Sequence, residues 1–461
     1  TKFAPRPHAR MLFSGDVGRT VAHNRRPDLT RTAMAKKLLD DCFLHDGRRM
    51  LHADAISLLR ARVQPVTGTE RVAIAEAAGR VLAEPAVAAR PVPAHTNAAV
   101  DGYGFACRDY DAGNGTRFPV SARVAAGHPL ATTVLPATAV RIFTGAMLPE
   151  GIDTVVMQED CEVATGEGGL ETVAIPGGLK YRANVRTAGE DVAAGSTLFE
   201  PGALLRPQDA AALASIGLAE VVCRKRLKVA IVSTGDEVIR AGSRPLAAGE
   251  VYDANAPMLT GLVRAAGADV ADLGVWPDDP AEVRRRLDEA ARTHDVILTS
   301  GGASLGEEDH IVAALDTLGK RHLWQLAIKP GRPLSFGQIG DTIMVGLPGN
   351  PVAVFVCFLM YVYPMLRRLG GTGWHEPRRL MLPAAFAVAK RKTGRREFFR
   401  GMLVDKAGGL AVDKYARDGS GLITGLRLAN GLIDVGEEVT AIAEGERIAF
   451  IPFSEFGILS A

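Results

Sequence analysis

The sequence predicts a multidomain α/β protein: one parallel α/β domain, two small β domains and a helical linker domain. Three observations carry this. Apolar runs of strand type alternate with helical patterns between residues 228 and 372, which is the mark of a parallel sheet covered on both faces. Residues 93–179 are rich in Pro, Gly, Thr and Val with short alternating runs, the pattern of a small β domain. Beyond Trp374, short apolar runs are broken again and again by glycine.

Taken in order, residues 1–45 form a basic extension rich in Arg and Pro, with no apolar core of a signal peptide. Within it Thr32–Leu44 has a helical pattern. Leu51–Val63 gives a second helix with apolar residues three and four apart. Residues 46–92 and 180–227 make one helical and linker domain, its last helix running from Pro207 to Ile216 and ending at Gly217. The inserted β domain, 93–179, carries alternating runs at Phe118–Ala125 and Ala139–Phe143. In 228–372 the expected strands are Lys228–Ser233, Val270–Val275, Asp295–Thr299, Trp324–Ile328 and Thr342–Gly346. The helices between them are Ala256–Ala265, Pro280–Ala291, Glu307–Leu318 and Pro351–Arg367. The C-terminal β domain, 373–461, ends in the strand Arg447–Pro452.

The chain has 461 residues, 47% of them apolar and 23% charged, with a formal net charge of +2. That balance gives no reason to expect a nucleic-acid partner, and an aromatic content of 6% argues against base-stacking platforms. The five cysteines are far apart and show no zinc or disulfide spacing, so a reducing cytoplasm is the expected compartment. Val352–Leu366 is apolar but shorter than the roughly 20 residues a membrane span needs, and Pro364 interrupts it. It reads as a buried core helix, with no membrane partner.

Ligands of open parallel sheets sit at the carboxyl ends of the strands. Three polar, glycine-rich clusters follow strand ends here: Ser233-Thr234-Gly235-Asp236-Glu237, Thr299-Ser300-Gly301-Gly302 and Leu347-Pro348-Gly349-Asn350-Pro351. Glycines at Gly301 and Gly302 let backbone N–H groups approach a phosphate, and a helix N-terminus adds partial positive charge. Glu307, Glu308 and Asp309 come a few residues later in the same segment and are hard oxygen donors for a divalent cation. A capped helix start, with Ser304 as N-cap and Glu307 at the third helical position, explains part of this segment. It leaves Ser300-Gly301-Gly302 unexplained. Lys329-Pro330-Gly331-Arg332 sets two cations around a glycine, where Arg offers bidentate phosphate geometry and Lys a point charge. An exposed turn with solvated charges explains those residues equally well. Val100-Asp101-Gly102-Tyr103-Gly104 and Thr144-Gly145-Ala146 are weak signals alone, and His8, His45 and His52 form no ligand cluster. No P-loop, dinucleotide fingerprint, zinc-protease motif or nucleophile elbow occurs.

Together these segments resemble the MoeA family, the gephyrin E-domain-like molybdopterin molybdotransferases. The motifs fall in the family's order from about Leu51 onward. They are Val100-Asp101-Gly102-Tyr103-Gly104, Thr144-Gly145-Ala146, Leu148-Pro149-Glu150-Gly151, Asn184-Val185-Arg186 and Gly189-Glu190-Asp191. Ser233-Thr234-Gly235-Asp236-Glu237, Ser300-Gly301-Gly302, Ile328-Lys329-Pro330-Gly331 and Leu347-Pro348-Gly349-Asn350-Pro351 follow, then Phe399-Arg400-Gly401 and Gly419-Ser420-Gly421. Departures from the family pattern are Thr96, Ala98, Val100, His310, Arg332 and Ala353.

The resemblance implies a molybdopterin-binding-like α/β domain within an elongated homodimer. It implies insertion of molybdate into adenylylated molybdopterin with Mg²⁺, releasing AMP and leaving molybdenum cofactor. Carried over residue by residue, it assigns catalytic roles to Asp101, Thr144, Glu190, Asp236, Asp309 and Lys329, with Glu190, Asp236 and Asp309 placing the metal. Ser300, Gly301, Gly302, Ser304, Arg332, Pro348, Gly349, Asn350, Arg400 and Ser420 become substrate-binding residues. A molybdopterin adenylyltransferase and recipient molybdoenzymes are the implied partners. A carrier that binds the cofactor without inserting metal is the competing expectation, because Thr96 and Ala98 stand where the family usually has a carboxylate and a hydroxyl.

Overall fold

The computed structural model describes residues 49–166, 169–301 and 310–459. The expected helix Thr32–Leu44 and the site residues Gly302, Ser304 and Asp309 lie outside them. The segments flanking the inserted domain pair with each other, Thr69–Ala73 against Glu220–Arg224 and Ala86–Val87 against Thr197–Phe199. The inserted domain is a six-stranded sheet. There Gly102 opens the strand Gly102–Phe105 rather than forming a turn, because a Cβ at this position would run into the Val156 carbonyl of the neighbouring strand.

The central sheet runs in the order Asp269–Trp276, Lys228–Thr234, Val296–Ser300, Thr342–Leu347, Pro333–Ile339, Lys320–Gln325. Its first four strands are parallel and the edge strand Lys320–Gln325 runs in the same sense, but Pro333–Ile339 runs against them and pairs antiparallel with both of its neighbours. The all-parallel expectation is therefore corrected to a mixed sheet. Gly340 and Asp341 close a tight hairpin between Pro333–Ile339 and Thr342–Leu347, with Gly340 at positive φ. The expected strand Trp324–Ile328 is divided in two. Lys320–Gln325 stays in the central sheet, whereas Ile328–Lys329 pairs with Arg396–Glu397 of the C-terminal sheet. That pairing carries Lys329 to the seam between the two domains.

Pro351–Leu369 is long and apolar enough to cross a membrane by composition, yet 89% of its apolar window is buried inside the protein. It forms the core that the α/β and C-terminal domains share, where Phe355 meets Phe453 edge-on at 5.0 Å and Tyr363 meets Phe456 at 5.2 Å. Burying each such side chain contributes about 1.5–3 kcal/mol. The helix continues through Pro364 because a π turn, Phe358–Val362, absorbs the missing N–H and the ring's clash with the preceding turn.

His52 docks the first helix, His52–Arg62, onto this core, its Nδ1 2.9 Å from the Tyr361 hydroxyl. Burial, reinforced by the Arg396 charge, lowers its pKa from 6.5 to about 4. The folded state thus keeps His52 neutral where the unfolded chain takes up a proton. Stability is full above pH 6.5 and falls as pH drops toward 4, by on the order of 3 kcal/mol. Urea unfolding across that window should show this slope, and His52→Asn should flatten it. An equal slope in the variant would show that His52 is not the group responsible.

Candidate functional site

Lys228–Thr234, Val296–Ser300 and Thr342–Leu347 are neighbouring parallel strands, so the three polar clusters emerge on one rim. A cavity of about 610 Å³ opens there. One wall is Gly301, Lys329–Pro333 and Pro348–Asn350 of the α/β domain. The other is Phe398–Arg400, Lys414, Tyr415 and Asp418–Ser420 of the C-terminal domain. Lys329, Arg332, Arg400 and Lys414 oppose Asp418 alone around it, so the cavity attracts anions. The positive end of the Pro351–Leu369 helix faces the same space from Asn350.

Each wall is held by identifiable contacts. Gly331 sits at φ +103°, over the buried Cys357 thiol, which donates to the Gly331 carbonyl at 3.4 Å. Lys329 Nζ lies 3.9 Å from the buried Glu397 carboxylate, which Arg395 at 2.7 Å and Arg391 at 3.4 Å also hold. Arg400 is nearly buried and donates to the Leu422 carbonyl at 2.8 Å and the Arg417 carbonyl at 2.5 Å. Its guanidinium also lies 4.8 Å from the Tyr415 ring centroid. Arg400 thus fixes the loop that presents Ser420, while adding its own charge to the wall. Burial lowers the Arg400 pKa, with Tyr415 and Asp418 opposing. For Asp418, burial pushes the pKa up, but a 2.7 Å hydrogen bond from Lys414 and the nearby cations outweigh it and hold the carboxylate low. The Ser420 carbonyl accepts from Val352 N at 2.9 Å, joining the two walls.

Of the residues expected from sequence, Gly301, Lys329, Arg332, Pro348, Gly349, Asn350, Arg400 and Ser420 line this cavity. Ser300 lies just behind it, buried. Asp236 is exposed on the same rim, after the strand Lys228–Thr234. Asp101, Thr144 and Glu190 belong to the inserted domain and its flank and do not line it. Thr144 donates from both its amide and its hydroxyl to Asp101 Oδ1 at 2.7 Å, and these bonds, the hydroxyl's first, hold the Asp101 pKa low. Glu190 is exposed and accepts from Thr187 N at 2.8 Å. Thr96, one of the departures, accepts from Ala188 N at 3.2 Å and so supports the Glu190 loop. Ala98, another, is fully buried.

Sequence reasoning missed Lys414, Tyr415 and Asp418: Lys414 ends the hairpin strand Gly409–Lys414 and the other two follow it, with no motif of their own. Only the nearby Gly419-Ser420-Gly421 pointed toward them. Among the described residues no group of three His, Cys, Asp or Glu side chains is arranged to hold a metal. Magnesium needs no such cage, since it keeps most of its waters and takes one or two carboxylates beside substrate phosphates. The exposed Asp236 at an anion-attracting rim fits that requirement.

Fold and cavity together define a multidomain α/β protein with a cation-lined cavity between the carboxyl rim of its sheet and a β domain. The MoeA N-terminal region (domain I and II) matches residues 50–217, a probable molybdopterin binding domain matches 230–368, and the MoeA C-terminal region (domain IV) matches 382–453. The chain belongs to the MoeA family. It is 37% identical over 391 residues to the molybdopterin molybdenumtransferase of Haemophilus influenzae, covering 84% of this chain and 95% of that one. Identity to molybdopterin molybdenumtransferase 2 of Mycobacterium tuberculosis is 34% over 407 residues, covering 86% and 97%. The crystal structure of the MoeA protein from Pyrococcus horikoshii OT3 superposes with a TM-score of 0.74 at 27% identity, covering 88% of this chain and all of that one.

Proposed function

We propose that this chain is a molybdopterin molybdenumtransferase that inserts molybdate into adenylylated molybdopterin, assisted by Mg²⁺, and releases AMP. The cavity between the α/β and C-terminal domains carries this reading. Both substrates are anions, and the cavity joins four cations to glycine-rich backbone and a helix N-terminus. Lys329 and Arg332 bind phosphate and oxyanion charge from one wall. Arg400 holds Ser420 toward the same charge from the other. Gly349, where a Cβ would stand in open space, leaves room for the ligand to approach main-chain N–H groups. Asp236, with Asp309 and Glu190, would hold Mg²⁺, which when bound supplies charge neutralisation at the phosphoanhydride.

Asp101 and Thr144 form a preorganised carboxylate and hydroxyl pair on a separate domain. A homodimer that brings one subunit's pair to the other's cavity would give them a role in the same reaction. The relatives named above, matched over nearly their whole length, support the activity.

The test is single-turnover conversion of adenylylated molybdopterin with molybdate and Mg²⁺, following AMP. Release of AMP that depends on molybdate supports the transferase. Tight binding of the adenylylated pterin with no AMP release would replace it with a cofactor carrier.

A further inference from the structure

The three rim loops are tied together by a residue outside all of the motifs above. Asn255 opens the helix Asn255–Ala265 and is 8% exposed. Its Nδ2 donates to the Ser300 hydroxyl at 2.7 Å and to the Gly349 carbonyl at 2.7 Å. An amide nitrogen has two hydrogens, so each loop takes one. The opposite amide orientation would set the side-chain oxygen against the Gly349 carbonyl, acceptor to acceptor, so the network assigns this one. The remaining Oδ1 is buried without a partner among the described residues, so the amide is held by its donors.

Asn255 is itself anchored. The buried Asp253 carboxylate accepts from the Asn255 and Ala256 amides, both at 3.0 Å. Asp253 is also paired with Arg240 at 3.2 Å, and Arg240 reaches Asp272 at 2.5 Å. The Asp253 amide donates to the Ile239 carbonyl, and the Val251 amide to the Glu237 carbonyl. The loop that carries Asp236 is therefore bound to the same hub as Ser300 and Gly349. A second link, Gly301 N to the Leu347 carbonyl at 3.1 Å, ties two of the loops where they leave the sheet. Beyond that point only Asn255 joins them among the described hydrogen bonds.

We propose that Asn255 is a positioning residue that sets the spacing of the Ser300–Gly301 and Pro348–Asn350 loops, and through them the floor of the anion cavity. The inference rests on the functional reading above for its effect on catalysis, but its structural part stands separately. Gly301, Gly349 and Asn350 line the cavity, whereas Asn255 does not, so it acts through them. Two short hydrogen bonds on one amide fix two main-chain segments relative to one helix, the preorganisation that a phosphate cradle requires.

Two readouts test it on the full chain. In hydrogen–deuterium exchange without ligand, Asn255→Ala should speed exchange in peptides covering both Ser300–Gly301 and Leu347–Asn350. Unchanged exchange in either overturns the proposal, whatever the activity. In molybdate-dependent AMP release, Asn255→Ala and Asn255→Asp should each raise the KM for adenylylated molybdopterin about 10- to 100-fold, with a smaller change in kcat. Asn255→Asp keeps the volume and removes both donors, so a wild-type KM in that variant also overturns the proposal. If neither variant folds, Asn255→Ser, which retains one donor on a shorter side chain, should show a KM raised above wild type, and a wild-type value there overturns the proposal. Wild-type protein that releases no AMP removes the functional reading alone; exchange still decides the role of Asn255.

Discussion

Lys329→Ala is expected to lower kcat/KM for adenylylated molybdopterin about 100-fold, mostly through KM, while the melting temperature moves little. The charge lost is one that faces the cavity. The Lys329 side chain is 43% exposed and Glu397 only 4%, so the lysine reaches outward from a buried anchor. A charge-assisted contact to phosphate is worth roughly 1.5–3 kcal/mol, and a tenfold change is 1.4 kcal/mol. Stability is protected because Glu397 keeps Arg395 and Arg391 when Lys329 is gone. An exposed partner at 3.9 Å adds little beyond them. Lys329→Arg should recover part of the loss, because the charge returns in a different shape. Steady-state kinetics beside a thermal melt separates the two effects. An unchanged KM in Lys329→Ala removes this lysine from the site.

Gly331→Ala is expected to be worse, since it attacks the same loop from within. Position 331 has φ +103°, which L side chains rarely adopt, and a Cβ there would be driven into the Cys357 sulfur. Cys357 is fully buried and has no space to withdraw. Backbone strain and overpacking together cost about 2–6 kcal/mol. The loop would relieve this by moving, carrying Lys329 and Arg332 with it. Both stability and kcat/KM should fall, the latter by more than in Lys329→Ala. Adding Cys357→Ala to Gly331→Ala should return part of the stability, as it removes the clash and leaves the backbone strain. A double variant no better than Gly331→Ala would show that the thiol is not what the new methyl meets.

The rim of the sheet was legible because its chemistry is written in consecutive residues. A strand of Val, Ile and Leu ending in Ser-Gly-Gly or Pro-Gly-Asn announces both the sheet and the loop that follows it. The opposing wall was less so. Arg400 and Ser420 stood in recognisable motifs, but Lys414, Tyr415 and Asp418 reach the cavity only because a hairpin folds against another domain. Asn255 was hidden for a similar reason: Asp253-Ala254-Asn255 reads as an ordinary helix start, and its two partners are far along the chain. The antiparallel strand of the sheet had a signal in Gly340-Asp341 between apolar runs, outweighed by the alternation that precedes it. The helix Pro351–Arg367 was read straight through Pro364, but the π turn that lets it continue there had no signal. Asp101, Thr144 and Glu190 stood in motifs that were weak alone and gained roles only through the family resemblance, and they lie away from the cavity within one chain.

The proposed function places oxyanion and phosphate between the α/β and C-terminal domains. Tungstate has nearly the size and charge of molybdate and scatters X-rays strongly, so crystals grown with it report the site directly. The anomalous peak is predicted inside the cavity lined by Lys329, Arg332, Arg400 and Ser420. A peak only elsewhere, such as beside Asp101 and Thr144 with the cavity empty of tungstate, would contradict it.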